Sequence, residues 1–187
     1  AQRTLAATAA NTDSFRDSQI TWLGNNENWN DPNNWAIEQG VPGNTQTAHI
    51  VPRFMDDVYI PSNPTGGSFP IINGSVSARD VVIQNGAKLT MGGGSLTVYG
   101  NWIEQGSGHF LGNSGTVFFR NPLDKAEITS HENSYFNHVQ IGDGVGTPIF
   151  TLKSNLDING NLTFKEGVTF KAGDHTINIE GNWNDEG

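Results

Sequence analysis

Apolar and polar residues alternate in short runs from residue 56 onward, and this alternation predicts β-strands. In most of these runs every second position holds an aliphatic or aromatic side chain, which is the period of a half-buried strand. Turn-forming pairs such as Asn85-Gly86 and Asn159-Gly160 separate the runs. The runs cover residues 58–60, 81–83, 96–98, 117–119, 139–141, 156–158 and 177–179. We therefore predict an all-β chain.

These runs recur at an interval near 20 residues. Val117 follows Leu96 by 21 residues, and Val139 follows Val117 by 22. A unit of this length has room for three short strands, which suits one triangular coil of a β-helix. One coil cannot bury its apolar side alone, so coils must stack with equivalent strands parallel and about 4.8 Å apart. We predict a right-handed parallel β-helix, or solenoid, with a β-sandwich of jelly-roll type as the alternative.

A seven-residue motif supports the repeat. The pattern Leu-x-Val-x-Gly-Asn-Trp begins at Leu96 and recurs, with conservative changes, at Leu156 and Ile177. Its Gly-Asn pair is predicted to lie at a coil corner, because Gly adopts positive φ easily and Asn tolerates it. The motif ends in Trp102 in the first copy and in Trp183 in the third. If the copies are equivalent, both indoles stack along the core.

The chain divides into three segments by composition. Residues 1–19 are small and polar and predict a linker or an extended arm. Residues 20–55 are dense in Asn, Trp and Gly with little periodicity, which predicts an irregular N-terminal cap. Residues 56–187 hold the solenoid repeats. Because the last residues carry a repeat signature, we expect the repeats to continue in a longer parent protein.

Composition excludes several classes of function. The 187 residues carry a formal net charge of −9, which disfavours binding to phosphate backbones and hence to nucleic acid. The chain has no cysteine, so it has no disulfide, no thiolate nucleophile and no zinc site of the cysteine type. No stretch of about 18 apolar residues is present, so we predict that the chain does not span a membrane.

The candidate binding residues lie near the N-terminus. Trp22, Trp29 and Trp35 are candidates for a platform that stacks on sugar rings; the alternative is that they pack over the open end of the first coil. Oxygen ligands for a structural Ca²⁺ are available from Asp31, Asn33, Asp56 and Asp57, although no EF-hand or glycine-rich nonapeptide series occurs. The alternative for these four is a role in turns and at strand ends. No other cofactor is predicted.

Catalysis receives little support from the sequence. Polysaccharide lyases and hydrolases that use β-helices place several carboxylates on one face, and the residues to consider here are Asp143, Asp157, Asp174 and His175. Three of them follow glycine-rich turns, and Asp157 alternates with apolar residues and is expected to face solvent. None of the five histidines is spaced as a metal-binding pair. We predict no catalytic residue and no enzyme activity.

One stretch resembles a known group of proteins. It comprises Trp22-Leu-Gly, Asn28-Trp-Asn-Asp-Pro-Asn-Asn-Trp35, Val41-Pro42 and Asp56-Asp-Val-Tyr-Ile-Pro61. This order, followed by Leu-x-Val-x-Gly-Asn units, is similar to the opening of adhesin-like and gliding-type large cell-surface proteins of Bacteroidetes. The resemblance covers about residues 20–187.

The resemblance implies an extracellular, cell-surface protein, often exported by the type IX secretion system. It implies a non-catalytic structural or adhesive module built of parallel β-helix repeats. A carbohydrate-binding module is the alternative, and a polysaccharide lyase or hydrolase is the third hypothesis. The expected partners are a surface glycan or protein ligand of unknown identity and, through the N-terminal segment, a secretion or anchoring component.

Overall fold

A computed structural model describes residues 19–38, 45–47, 50–120 and 125–187. Within these ranges the chain forms β-strands and one 3-10 turn, Pro32–Asn34, and contains no α-helix. In chain order the strands are β1 (Gln19–Trp22), β2 (Trp35–Glu38), β3 (Thr45–Thr47), β4 (Asp57–Ile60), β5 (Ile71–Ile72), β6 (Ser75–Ala78), β7 (Val81–Ile83), β8 (Lys88–Met91), β9 (Ser95–Val98), β10 (Trp102–Glu104), β11 (His109–Leu111), β12 (Thr116–Phe119), β13 (Lys125–Thr129), β14 (His138–Ile141), β15 (Ile149–Leu152), β16 (Leu156–Ile158), β17 (Leu162–Phe164), β18 (Thr169–Lys171), β19 (Ile177–Ile179) and β20 (Trp183–Asp185).

The strands form a parallel β-solenoid with three faces, which we call sheets A, B and C. Sheet A holds β1, β4, β7, β10, β13, β15 and β18 in spatial order. Sheet B holds β5, β8 and β11, continues through bridges at Tyr135 and Phe136, and ends with β16 and β19. Sheet C holds β6, β9, β12, β14, β17 and β20. Each coil visits the sheets in the order A, B, C, so coil 1 begins with β4 and coil 6 with β18.

The strand register confirms the predicted parallel stacking and excludes the jelly-roll alternative. Val117 lies opposite both Leu96 and Val139 in parallel ladders, as their spacing predicts. Leu156 lies opposite Ile177 in the same way. A jelly roll requires antiparallel pairing, whereas every ladder between the six coils is parallel in the part of the chain that the structure describes.

The predicted equivalence of the three motif copies is wrong. The copy that begins at Leu96 starts on sheet C, whereas the copies at Leu156 and Ile177 start on sheet B. As a result Trp102 falls on sheet A and is fully buried, whereas Trp183 falls on sheet C and is 55% exposed. The same local sequence therefore serves two different corners of the solenoid, because each corner needs the same short turn between two inward-facing strands.

The glycines of this motif are required for space, not for backbone dihedral angle. Gly100, Gly160 and Gly181 are absent from the glycines with positive φ, so the conformational reason predicted for them is wrong. A Cβ atom placed on Gly160 would lie 2.5 Å from the carbonyl oxygen of Asn137 in the preceding coil. Successive coils approach each other closely at these corners, so a side chain on Gly160 or Gly181 would clash with the backbone of the preceding coil.

The core is a set of side-chain rows that run along the solenoid axis. On sheet A one inward row has no member more than 2% exposed: Ile20, Val58, Val81, Trp102, Ile128 and Leu152. The indole of Trp102 also contacts the rings of Phe110 and Phe136, with centroid distances of 4.9 and 5.4 Å. Burial of these apolar surfaces, at about 25 cal/mol per Å², is the main force that stacks the coils.

The N-terminal end is closed by more regular structure than the sequence predicts. β1 pairs in parallel with β4 and so extends sheet A upstream of residue 56. β2 and β3 then add to the outer edge of β1 as antiparallel strands. These antiparallel pairs cover one edge that would otherwise expose unpaired backbone groups. Of the predicted linker, residues 1–18 lie outside the described residues.

The opposite end of the stack is open. The inward side chains of Phe170, Ile177 and Ile179 in coil 6 are only partly buried. Trp183, in the inward row of Leu162, packs on Phe164 at a centroid distance of 5.0 Å and otherwise faces solvent. Within residues 19–187, the first coil is therefore covered and coil 6 leaves apolar side chains partly exposed.

Candidate functional site

The three tryptophans proposed as a sugar platform are buried. Trp22, Trp29 and Trp35 are each 0% exposed, and Trp35 packs edge-on against both of the others at centroid distances of 4.8 Å. The indole nitrogen of Trp35 donates to the Trp29 carbonyl at 2.8 Å, and that of Trp22 donates to the Ser68 carbonyl at 2.7 Å. No ring face is available to a sugar, so the glycan-contact prediction is wrong and the alternative, packing over the first coil, describes them.

Asp31 and Asn33 build a turn. The Asp31 carboxylate accepts from the backbone nitrogen of Asn33 at 2.9 Å and from the Asn26 side chain at 2.6 Å. These bonds, first that of Asn26, lower the pKa of Asp31. The buried amide of Asn34 bonds to Asn26 and to the carbonyl of Asn28, which accounts for the density of asparagine in this segment.

Asp56 and Asp57 are also engaged by protein partners. Asp56 is buried and accepts from the backbone nitrogen of Arg53 at 2.8 Å; burial raises its pKa. Asp57 forms a two-point ion pair with Arg79, with distances of 2.6 Å to Nε and 2.5 Å to Nη2. Among the described residues no group of three or more His, Cys, Asp or Glu side chains is arranged to hold a metal ion. The four predicted calcium ligands thus do not converge on one point.

The candidate catalytic residues lie on different faces. Asp157 is on sheet B, where its carboxylate accepts from Asn178 at 2.6 Å. Asp143 closes a turn after β14 by accepting from the backbone nitrogen of Val145 at 3.2 Å. Asp174 and His175 lie in the turn between β18 and β19. The structure does not bring these groups together.

A polar groove of about 280 Å³ crosses sheet B over coils 4 to 6. Its walls carry carboxyl groups from three coils together with one phenol ring. The main contributors are Glu132, Tyr135, Asp157, Asn178 and Glu180. The Tyr135 hydroxyl donates to Asn113 at 2.5 Å, and Asp157 is already bonded, so part of this lining serves contacts between coils.

One buried carboxyl group was not found from the sequence. Glu104 is 6% exposed and lies in the inward row of Ile83. Its oxygens accept from Trp102 Nε1 at 2.8 Å, from the backbone nitrogen of His131 at 2.9 Å, and from the Ser134 hydroxyl. Burial raises its pKa to about 7 despite these bonds. This residue holds the loop that precedes Tyr135.

Several exposed or partly exposed aromatic rings lie at or near the corner between sheets C and A. Phe54, which is 53% exposed, packs edge-on against Tyr99 at a centroid distance of 5.7 Å. The Arg120 guanidinium lies 5.1 Å from the centroid of Phe118. All arginines of the described residues lie here as well. We call this set the arginine–aromatic corner; it comprises Arg53, Phe54, Arg79, Tyr99, Phe118 and Arg120.

Strand register places the corner residues in line. Ala78, Val98 and Phe119 share one inward row of sheet C. The next residue in each chain segment is therefore Arg79, Tyr99 or Arg120, at the same position in three successive coils. Sequence analysis missed this set because its members are separated by about one coil length and no motif marks them.

The fold defines a class, the parallel β-solenoids. Comparison of the chain with protein-family models, curated proteins and solved structures finds no match. Among the described residues no helix is long and apolar enough to cross a membrane.

Proposed function

We propose that the chain is a non-catalytic structural and adhesive module of an extracellular, cell-surface protein. The observation that carries the proposal is the way in which the coils are tied to each other at their corners. Asp80 accepts from the backbone nitrogen of Asn101 at 2.6 Å, and Asn101 accepts from that of Glu127 at 2.9 Å. Side chains thus bond the backbone of the following coil, which suits a projecting scaffold.

A second corner repeats this arrangement. His138 Nδ1 accepts from the backbone nitrogen of Asn161 at 2.9 Å, and Asn161 accepts from that of Asn182, also at 2.9 Å. These bonds join coils 4, 5 and 6 between sheets B and C. Together with the continuous inward rows, they favour a stiff rod over a set of independently moving loops.

The asymmetry of the two ends supports a modular role. The N-terminal end is covered by β2, β3 and the buried tryptophans, whereas coil 6 leaves apolar inward side chains uncovered. Further coils stacked on coil 6 would bury these groups. The resemblance of residues 20–187 to surface proteins of Bacteroidetes supports an extracellular location and export through the type IX system.

The scaffold proposal is tested by adding a coil. A copy of residues 167–187 is appended after Gly187, and the control carries Ser at the appended positions that correspond to Ile177 and Ile179. We expect the appended coil to bury Trp183, with a shift of indole emission to shorter wavelength, lower acrylamide quenching and a higher Tm than in the control. Equal quenching and equal Tm in the two proteins would contradict a stacking scaffold.

The absence of catalysis is tested separately. The purified chain is incubated with neutral and acidic polysaccharides, and new reducing ends and unsaturated products are measured. We expect product at the level of a protein-free blank. Turnover that is lost in Asp157→Asn, with folding intact, would overturn the proposal and assign an enzyme to the groove on sheet B.

A further inference from the structure

We propose that the arginine–aromatic corner binds anionic saccharides, that is, glycans that carry carboxylate or sulfate groups. This inference rests on the proposed adhesive function and names the class of ligand. It locates the binding surface away from the tryptophans and from the groove on sheet B.

The rings of this corner are accessible, in contrast to those of the cap. Phe54 projects from the turn that precedes β4, is 53% exposed, and packs against Tyr99 in a T-shaped arrangement. Tyr99 and Phe118 are partly exposed on the outer surface of coils 2 and 3. Aromatic faces pack well against the C–H surfaces of sugar rings, and Tyr adds a hydroxyl group that bonds to sugar hydroxyls.

The cations of this corner suit acidic groups on the same ligand. Guanidinium groups bind carboxylate and sulfate through two parallel N–H donors. Arg120 is held on the Phe118 ring, and its Nε is buried without a hydrogen-bond partner. Contact with the ring restricts this side chain, so less conformational entropy is lost when an anion binds to the guanidinium.

The carboxylates near the corner are directed to other partners. Asp80 accepts from the backbone of Asn101, and Asp56 from the backbone of Arg53. Asp57 pairs with Arg79 through Nε and Nη2, so these two charges offset each other, and the Arg79 side chain remains 35% exposed. The positive charge of the corner therefore comes mainly from Arg53, which is exposed, and from Arg120.

The spacing favours an extended ligand. Arg79, Tyr99 and Arg120 occupy successive coils, so the two arginine positions are two coil spacings, or about 10 Å, apart along the axis. A saccharide that lies along the corner meets the Asp57–Arg79 ion pair, the Tyr99 ring and Arg120 in turn, so Arg120 is the anion-binding member of this row.

The experiment measures binding of three glycans to the full chain by isothermal titration calorimetry. The probes are polygalacturonate for carboxylate, chondroitin sulfate for sulfate, and dextran as the neutral polymer. We expect one or both anionic glycans to bind and dextran not to bind, with affinity falling as salt is raised. Binding that is equal for all three glycans, or no binding to any of them, would overturn the inference.

Variants locate the site. Arg120→Ala and Phe54→Ala are each expected to weaken binding about tenfold, a loss of about 1.4 kcal/mol. The matched controls are Lys171→Ala, an exposed cation on coil 6, and Val145→Ala, an exposed apolar residue after β14; both should bind within about twofold of the unaltered chain. Circular dichroism confirms folding, and if Arg120→Ala unfolds, Phe54→Ala alone decides because its side chain is exposed.

The outcomes separate this inference from the proposed function. Unchanged affinity in both corner variants, with anionic binding present, would falsify the location. If the unaltered chain binds no glycan but the appended coil still buries Trp183, the saccharide ligand is rejected and the scaffold proposal is retained. Polysaccharide turnover would reject the non-catalytic function while the corner remains testable by these variants.

Discussion

The indole nitrogen of Trp102 donates a 2.8 Å hydrogen bond to Oε1 of Glu104 inside the solenoid core. The two residues are neighbours on the inward side of β10, where the two preceding coils place Ile60 and Ile83 at the position of Glu104. The second oxygen of Glu104 accepts from the backbone of His131 at 2.9 Å. A single carboxyl group therefore satisfies polar groups of two coils in an otherwise apolar core, and its ionisation is coupled to folding.

The stability of the protein should fall as pH rises through neutrality. Burial raises the folded-state pKa of Glu104 to about 7, above its ordinary value of 4.5. The folded state therefore binds the proton more tightly than the unfolded state, so the stabilisation is complete below pH 4.5 and is lost as pH rises through 7. At about 1.4 kcal/mol per pKa unit, the loss between pH 4 and pH 8 is about 3 kcal/mol.

The measurement compares urea unfolding of the unaltered chain and of Glu104→Gln at several pH values. The difference in unfolding free energy isolates Glu104, because histidines and other carboxyls titrate equally in both proteins. We expect the variant to gain about 3 kcal/mol relative to the unaltered chain between pH 4 and pH 8. A difference that does not depend on pH would show that Glu104 keeps an ordinary pKa.

Gly160→Ala should destabilise the solenoid by about 1–3 kcal/mol, because the added methyl group overpacks the corner. Its Cβ would lie 2.5 Å from the Asn137 carbonyl oxygen, a backbone atom that cannot move aside without displacing coil 4. The control is Gly74→Ala, whose Cβ would approach only the Asn30 side chain, at 3.4 Å. Thermal and urea unfolding measure the stability of both variants. An equal loss of stability in Gly160→Ala and Gly74→Ala would contradict the steric explanation.

The fold follows from the sequence because the inward rows repeat at coil length. The spacing of Val117 and Val139 identified adjacent strands of sheet C, since only stacked coils bury β-branched residues at that interval. The prediction that Trp102 and Trp183 occupy equivalent positions was wrong because the same turn occurs at two corners of the solenoid. The local motif alone does not indicate at which corner it lies. The number of residues between each motif and the equivalent strands of the neighbouring coils would have distinguished the two corners.

The site was less predictable than the fold. Tryptophans in a segment with little periodicity are compatible with a ligand platform as well as with a cap, and the burial of Trp22 and Trp29 decides between them. The contact between Phe54 and Tyr99 joins residues two coils apart in the stack, which no local pattern reveals. Glu104 escaped notice because a carboxylate in an alternating strand is expected to face water.

Calcium should not change the stability of the described fold. Asp31 and Asp57 are engaged by Asn26 and Arg79, and the predicted ligands do not converge. An extracellular-type site with a Kd of about 10⁻⁴–10⁻³ M would add about 1–2 kcal/mol of stability at 5 mM Ca²⁺. That corresponds to a rise in Tm of about 2–9 °C for a chain of this size. We expect equal Tm in 5 mM CaCl₂ and in EDTA. Calcium at concentrations of this order occupies typical extracellular sites. A Tm that is several degrees higher in CaCl₂ would support a calcium site.

The tryptophans of the two ends should differ strongly in their contribution to stability. Trp35 is fully buried between two other indoles and donates a hydrogen bond, so Trp35→Ala removes packing and leaves a cavity. We expect a loss of about 3–5 kcal/mol. Trp183 is 55% exposed and packs on Phe164 alone among aromatic rings of the described residues, so Trp183→Ala should cost less than ~1 kcal/mol. Urea unfolding followed by far-ultraviolet circular dichroism measures both without relying on indole emission. If the two losses were equal, the cap would not be the closed end of the solenoid, and the distinction between its two ends would fail.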